Sequence, residues 1–537
     1  MNTPSHAQEP AGSVRIVSAR RVHTLTGAPG TAGTDRPVTA FAVLGEQVVA
    51  TGTTAELRSR FPGAEHLDHQ TGVIVPGFND AHQHLSDLAN GLDELDLAAP
   101  EFSELTAVLA ALADRIRAAA RGQWVRAHRY DETRTAPRAL TRGDLDSLGG
   151  DAPVLVTHVS DHSAVLNSPA LRLAGLDPER VPDGRVHGPE LFRLLWSDEA
   201  IVDQPSTDGW IAGVERLVAR YHAAGITSIG DALVSPGQLG RYQEARRRGR
   251  LTVRVNALVD AVHADAFLAL GVGSGFGDAW LRVGGFKAFV DGAVAGHSCL
   301  LEQPFSDSDP PDHGEQVTPT AELHALVERV HRAGSAMAVH ANGDRAIGVL
   351  LDVVEQVQAA HPRPGLMHRI EHCTVLGPGL AARIKAAGLA AVPFGSYLTA
   401  HGTKLLRWYG VERLHRMFPH RTLLDHAIPV AGASDHSAAP FEPLIALRDM
   451  VTRTAPDGVV LGASQRITAA EALWIQTVGS ATVAGEAHVK GSLTPGRLAD
   501  YVVLDDDPLT VDPDGLPEIG VRETVVGGVT RWSGGAR

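Results

Sequence analysis

Several kinds of residue are scarce in this chain of 537 residues, and each scarcity removes a class of protein. Two cysteines, Cys299 and Cys373, with no CxxC pair, cannot build a disulfide framework. A reducing, cytoplasmic setting is therefore the expectation. Basic residues are outnumbered, 48 Lys and Arg against 62 Asp and Glu, which leaves a net charge of −14. Such a polyanion offers no electrostatic surface to nucleic acid or to an anionic membrane. No apolar run reaches the roughly 18 residues of a membrane-spanning helix. The polar opening stretch, 1–13, lacks the apolar segment of a secretion signal and reads as a disordered arm. A small-molecule substrate is the partner left. A homodimer is compatible with the chain, but no pattern in it reports oligomeric state.

Glycine (56), proline (32) and histidine (26) are plentiful. With 44% hydrophobic and 20% charged residues, the chain has the composition of an ordinary folded core. Short strand-like segments lie at both ends, at 14–17, 40–44 and 47–50, and again at 500–504, 523–526 and 529–532. Neither end can bury a good core alone. One small β domain, a β-sandwich assembled from 14–70 and 488–537, is the economical expectation. Between them, 71–487 alternates short apolar strands with Ala- and Leu-rich helical stretches such as 105–120, 210–224, 321–333 and 345–360. That alternation predicts an α/β fold of parallel units. Eight strands are counted, at 73–75, 226–229, 253–257, 285–289, 336–339, 369–371, 390–393 and 428–431, the number that closes a TIM-type (β/α)8 barrel. The long gap after the first, about 88–220, is read as an inserted subdomain carrying two further strands, 124–126 and 154–157.

Polar residues stand at the ends of these strands. His82 and His84 are two residues apart at the end of the first, so they share a face and can bind one divalent cation as neutral imidazoles. Lys287 interrupts an apolar strand, either as a lysine reaching the barrel rim or as one carboxylated by CO₂ to bridge two metals. His340, His372 and Asp435 end later strands. Each alone reads as a satisfied core residue, but together they occupy the carboxyl ends of parallel strands, where barrel active sites lie.

The segments PGFNDAHQH, FKAFVDG, HANGDRA, RIEHC and GASDHS, in this order, resemble the amidohydrolase superfamily. More narrowly they resemble its family 3 branch, which includes the N-substituted formamide deformylases. The likeness spans nearly the whole chain. It implies that His82, His84 and Asp435 hold one metal and that a carboxylated Lys287 bridges to a second metal on His340 and His372. One or two Zn²⁺ per chain are expected, other divalent metals also fitting. The activity implied is hydrolysis of a non-peptide C–N bond in an amide, formamide or related N-acyl amine by a metal-activated hydroxide. Asp435 is assigned as proton shuttle, and His162 and His297 as oxyanion or substrate contacts. Asp291 and Asp344 are expected to orient ligands, and Cys373 to face the core. Phe305, Phe394, Tyr397, Trp408 and Tyr409 are read as an apolar pocket lining or as plain packing. A lactonase, esterase or phosphotriesterase would use the same site, and a non-catalytic barrel would lack the metal.

Overall fold

The computed structural model describes residues 13–28, 38–91, 94–132, 134–135, 138–159, 163–195, 201–202 and 205–534. Almost all of the N-terminal arm, and His162, lie outside these residues. Strand Val73–Pro76 is buried along its whole length, but it does not open the barrel as the sequence suggested. It pairs antiparallel with Tyr501–Leu504 and parallel with Arg21–Val22, in a sheet built from both chain ends. Periodicity cannot separate the two cases, because a Val-Ile-Val run buried on both faces suits either sheet. The chain then steps at Gly77 into the first barrel strand, Phe78–Gln83. Only glycine fits at this step, since a Cβ there would lie 2.2 Å from Thr227 Oγ1.

Seven parallel strands follow in sequence order: Phe78–Gln83, Ile226–Val234, Arg254–Asp260, Leu281–Phe289, Met337–Ala341, Arg369–His372 and Ala390–Pro393. Residues 429–435 bridge the remaining gap. Ala391 N donates to Pro429 O and Ala431 N to Ala391 O on one side, while Ala81 N donates to Gly432 O and Asp435 N to His82 O on the other. The Ser434 amide and hydroxyl both donate to the buried Asp80 carboxylate, fixing this segment beside the first strand. Burial pushes the Asp80 carboxyl up to about 7. The result is a nearly closed seven-stranded barrel completed by one irregular extended segment.

Helices cover the barrel because their apolar residues recur at helical spacing. In Thr207–Ala223 the buried face is Trp210, Ile211, Val214, Leu217, Val218 and Tyr221, and Ser206 caps the first turn by accepting from Gly209 N. This helix falls within the segment read as an insertion, yet it packs into the barrel core. The chain before it forms a sheet of its own, ordered Arg185–His187, Ser163–Leu166, Val154–His158, Val125–Tyr130 and Leu95–Asp96.

Outside the barrel, a four-stranded sheet of N-terminal strands and a five-stranded sheet mixing both ends share buried Val17, Phe41, Val43, Ile74, Tyr501 and Val503. Arg254 on the third barrel strand is fully buried and forks onto Asp500 at 2.7 and 2.9 Å, joining barrel and outer sheet. Among the described residues, no helix is long and apolar enough to cross a membrane.

Candidate metal centre

The carboxyl ends of the barrel strands open into a cavity of about 270 Å³. His82, His84, Lys287, His340, His372 and Asp435 all line it. Of the sequence candidates, His82, His84 and Asp435 come closest, with one ligand atom from each lying within 4.8 Å of the others. His84 Nε2 is 3.2 Å and His82 Nε2 3.5 Å from Asp435 Oδ1. His82 belongs to the strand, whereas His84 stands just before the short helix Leu85–Leu88. Their rings are 5.4 Å apart.

His82 is held from behind. Its Nδ1 meets the fully buried Glu371, which receives Arg369 in turn, and Arg369 Nη2 also donates to Ala81 O at 2.8 Å. A proton on Nδ1 donated to Glu371 leaves the Nε2 lone pair toward the cavity, the usual backing of a metal-bound imidazole. Burial pushes His82 down to about 4, so the ring is neutral at pH 7. Burial would raise Glu371, but Arg369 and His82 override it and hold the carboxyl well below its ordinary range. Sequence reading missed this pair. The available signal was the Arg-x-Glu spacing, which puts both side chains on one face of their strand.

His372 shows why alternation alone misplaces a side chain. It follows Glu371 and should point the other way, but its φ of 70° turns the ring into the cavity. There it stacks on Phe394 at 4.6 Å and lies 4.8 Å from the His82 ring and 4.6 Å from that of His340. Its Nδ1 is buried without a hydrogen-bond partner. His340 Nε2 sits 3.0 Å from Gly292 O and 2.9 Å from Asn342 Nδ2. Lys287 Nζ, also buried and unpartnered, lies 4.7 Å from the centre of the Phe289 ring. Burial lowers this amine to about 8.

Asp435, with φ 55°, stays ionised. Burial works against its charge, but the hydrogen bond from His84 and the positive groups around it hold the carboxyl far below its ordinary value. The same contact lifts His84 to about 9 against its burial. His82 Nε2 and His372 Nδ1, buried without hydrogen-bond partners near the Asp435 carboxylate, fit a bound divalent cation.

The other expected residues divide between this cavity and its surroundings. His297 pairs with Asp307 at 2.9 Å and lines a neighbouring cavity with Trp408 and His401. Asp291 accepts from the amides of Leu300, Asn342 and Gly343, and its carboxylate is 3.6 Å from His340 Nε2. Asp344 accepts from Glu302 N and meets Arg416. Cys373 is buried in the hydrophobic core, its thiol pushed up to about 12. Phe394 and Tyr397 line the cavity and share one apolar cluster with Phe305 and Tyr409, which are not among the lining residues.

This architecture has known counterparts. The chain is 30% identical over 522 residues to the N-substituted formamide deformylase of Arthrobacter pascens, covering 92% of this chain and 94% of that one. The structure of an uncharacterized metal-dependent hydrolase from Pyrococcus furiosus matches 93% of this chain and 100% of its own, with TM-score 0.74 and 25% identity. A second uncharacterized metal-dependent hydrolase, from Pyrococcus horikoshii OT3, shares the fold with TM-score 0.77 at 24% identity, covering 94% and 99% of the two chains. With residues 68–531 matching the family 3 model, and with histidines and an aspartate converging at the mouth of a parallel barrel, the chain belongs to the amidohydrolase family.

Proposed function

We propose that the protein is a metal-dependent hydrolase of non-peptide C–N bonds, acting on an amide, formamide or related N-acyl amine of small size. The observation that carries this reading is the convergence of His82, His84 and Asp435 within 4.8 Å at the base of one cavity. Likeness to a formamide deformylase supports the bond type. Two imidazoles and a carboxylate suit Zn²⁺. When bound, such a cation polarises a carbonyl and yields a nucleophile from water near neutral pH.

The chain's own residues supply the rest. Glu371 and Arg369 hold the His82 ring so that Nε2 faces the cavity. Asp435, ionised and beside both histidines, takes the proton from the attacking water and hands it to the departing amine nitrogen. Phe394 and Tyr397 keep that end of the cavity apolar. Lys287, with its amine lowered to about 8, retains a neutral fraction able to add CO₂ with loss of a proton. The resulting carbamate anion would join His340 and His372 in holding a second cation.

Elemental analysis of purified protein, run beside a hydrolysis screen of amides, formamides, esters and lactones, tests the reading. One or two equivalents of divalent metal and turnover of amides or formamides are expected. Absence of metal in protein never exposed to chelator, with no activity gained on adding Zn, Mn or Co, would overturn it. Lys287→Ala should lose activity that short carboxylic acids partly restore.

A further inference from the structure

Barrel strands set the floor of the cavity, and strand Val125–Tyr130 of the inserted sheet carries its outer wall. His84 belongs to neither. It stands past the end of the first barrel strand, just before helix Leu85–Leu88. Its ring lacks the support that His82 receives. His84 Nδ1 lies 4.0 Å from Asp87, beyond hydrogen-bond distance, whereas Glu371 bonds His82 Nδ1 directly. The His84 amide donates to His436 O at 3.2 Å, which ties the backbone on one side only. Keeping Nε2 beside Asp435 therefore needs a second restraint.

That restraint comes from the second barrel strand, Ile226–Val234. It passes close to the first at Gly230, where a Cβ would lie 2.1 Å from Ala81 O. The pairing slips by one residue at this point and sets Asp231 opposite Gln83. Asp231 is fully buried there. Both of its oxygens accept from Ser86 N at 3.3 Å, and Oδ2 also accepts from Tyr242 OH at 2.8 Å. On the other side of the same residue, Trp210 Nε1 donates to Ser86 O at 2.9 Å. Trp210 and Tyr242 come from helices Thr207–Ala223 and Pro236–Arg247 and meet edge to face at 4.9 Å, both fully buried. Gln238, on the second of these helices, reaches Asp87 at 2.7 Å. A carboxyl group shut away from water is costly even when its acceptors are used, and an apolar residue would serve ordinary packing without that cost. What Asp231 adds is a hold on the backbone two residues from His84.

We propose that Asp231 is the positioning residue of His84: by fixing Ser86 it fixes the start of the short helix and the direction of the His84 ring, and so sets how tightly the site holds a divalent cation. The inference rests on the metal-dependent reading above and adds a residue of the second barrel strand to that site. Glu371 braces His82 through its ring, and Asp231 braces His84 through its backbone.

Zn²⁺ affinity of Asp231→Asn, read by competition with a chelator, tests this beside the melting temperature of the apo-protein. Asparagine keeps the size but turns an NH₂ toward Ser86 N or Tyr242 OH, donor against donor. Affinity should fall about 10–100-fold, the usual effect of losing a group that orients a metal-bound histidine. Tyr242→Phe keeps the carboxylate and removes one donor, so a smaller loss of about two- to tenfold is expected. Thr141→Ala, in the inserted subdomain, controls for a general loss of stability and should leave affinity unchanged. Unchanged affinity in Asp231→Asn would overturn the proposal, as would an equal loss in Thr141→Ala. Should Asp231→Asn not fold, unchanged affinity in Tyr242→Phe overturns it instead. Wild-type protein that takes up no divalent metal would overturn the hydrolase reading and this inference with it, so the wild type tells the two failures apart.

Discussion

The floor and the outer wall of one cavity are built by different means. On the floor, His82, Lys287, His340 and His372 project from barrel strands and are no more than 3% exposed. Sheet hydrogen bonds on both sides and the Glu371–Arg369 brace leave them little freedom. On the wall, the Arg129 and Asp96 side chains are 29% and 45% exposed, and they hang from a small sheet with its own core. Chemistry needs geometry held to fractions of an ångström, so it sits on the barrel. The insertion, with its own small core, can vary without disturbing that geometry.

The largest effect expected from this contrast is at Asp435. Asp435→Asn keeps size and a coordinating oxygen but loses basicity, so kcat should fall about 10²–10⁴-fold while the melting temperature stays close to wild type. A variant keeping more than about a tenth of the rate would show that another group moves the proton, and that the floor is less specialised than argued. Next comes the brace. Glu371→Gln should weaken divalent-metal affinity about 10–100-fold, read by competition with a chelator. Unchanged affinity would mean the strand alone orients His82.

Changes on the wall side should leave the chemistry alone. Thr141 and Asp144 form a capping box on helix Arg142–Ser147 of the insertion. Thr141→Ala should cost about 0.5–2 kcal/mol in denaturant unfolding, with kcat preserved. A large loss of kcat would show that the insertion shapes the floor after all.

The smallest effect concerns acid. Burial would raise Glu132, but His158 at 2.9 Å and Arg185 pull its carboxyl down to about 2 from the ordinary 4.5. The unfolded chain therefore binds the extra proton between these values. The contribution is complete above about pH 4.5 and is lost as pH falls toward 2. Melting curves of wild type and Glu132→Gln should converge across that window, and a constant gap would refute the pairing.

Much of the floor is legible in the sequence. His82, His84, Lys287, His340, His372 and Asp435 all reach the cavity, because strand-end histidines and a lone lysine in an apolar run are local features. Strand 73–75 was misassigned because burial on both faces looks the same in either sheet. Glu371 and Arg369 went unnoticed because their value lies in contacts with the first strand, 289 and 288 positions away. Arg129 was hidden for a further reason: its side chain reaches the cavity only because its backbone leaves the alternation that sequence reading assumes.

What the sequence determined by itself was the kind of chemistry available. Donor type belongs to a residue, and short apolar runs dictate where strands end, so the candidate donors and their order follow from local pattern alone. Which of them meet was decided only in three dimensions. Closing the barrel brings Asp435 to His84 across 351 positions. A left-handed φ turns His372 inward, and another turns Arg129 onto the wall. These are outcomes of long-range packing, and no window of neighbouring residues contains the groups that enforce them.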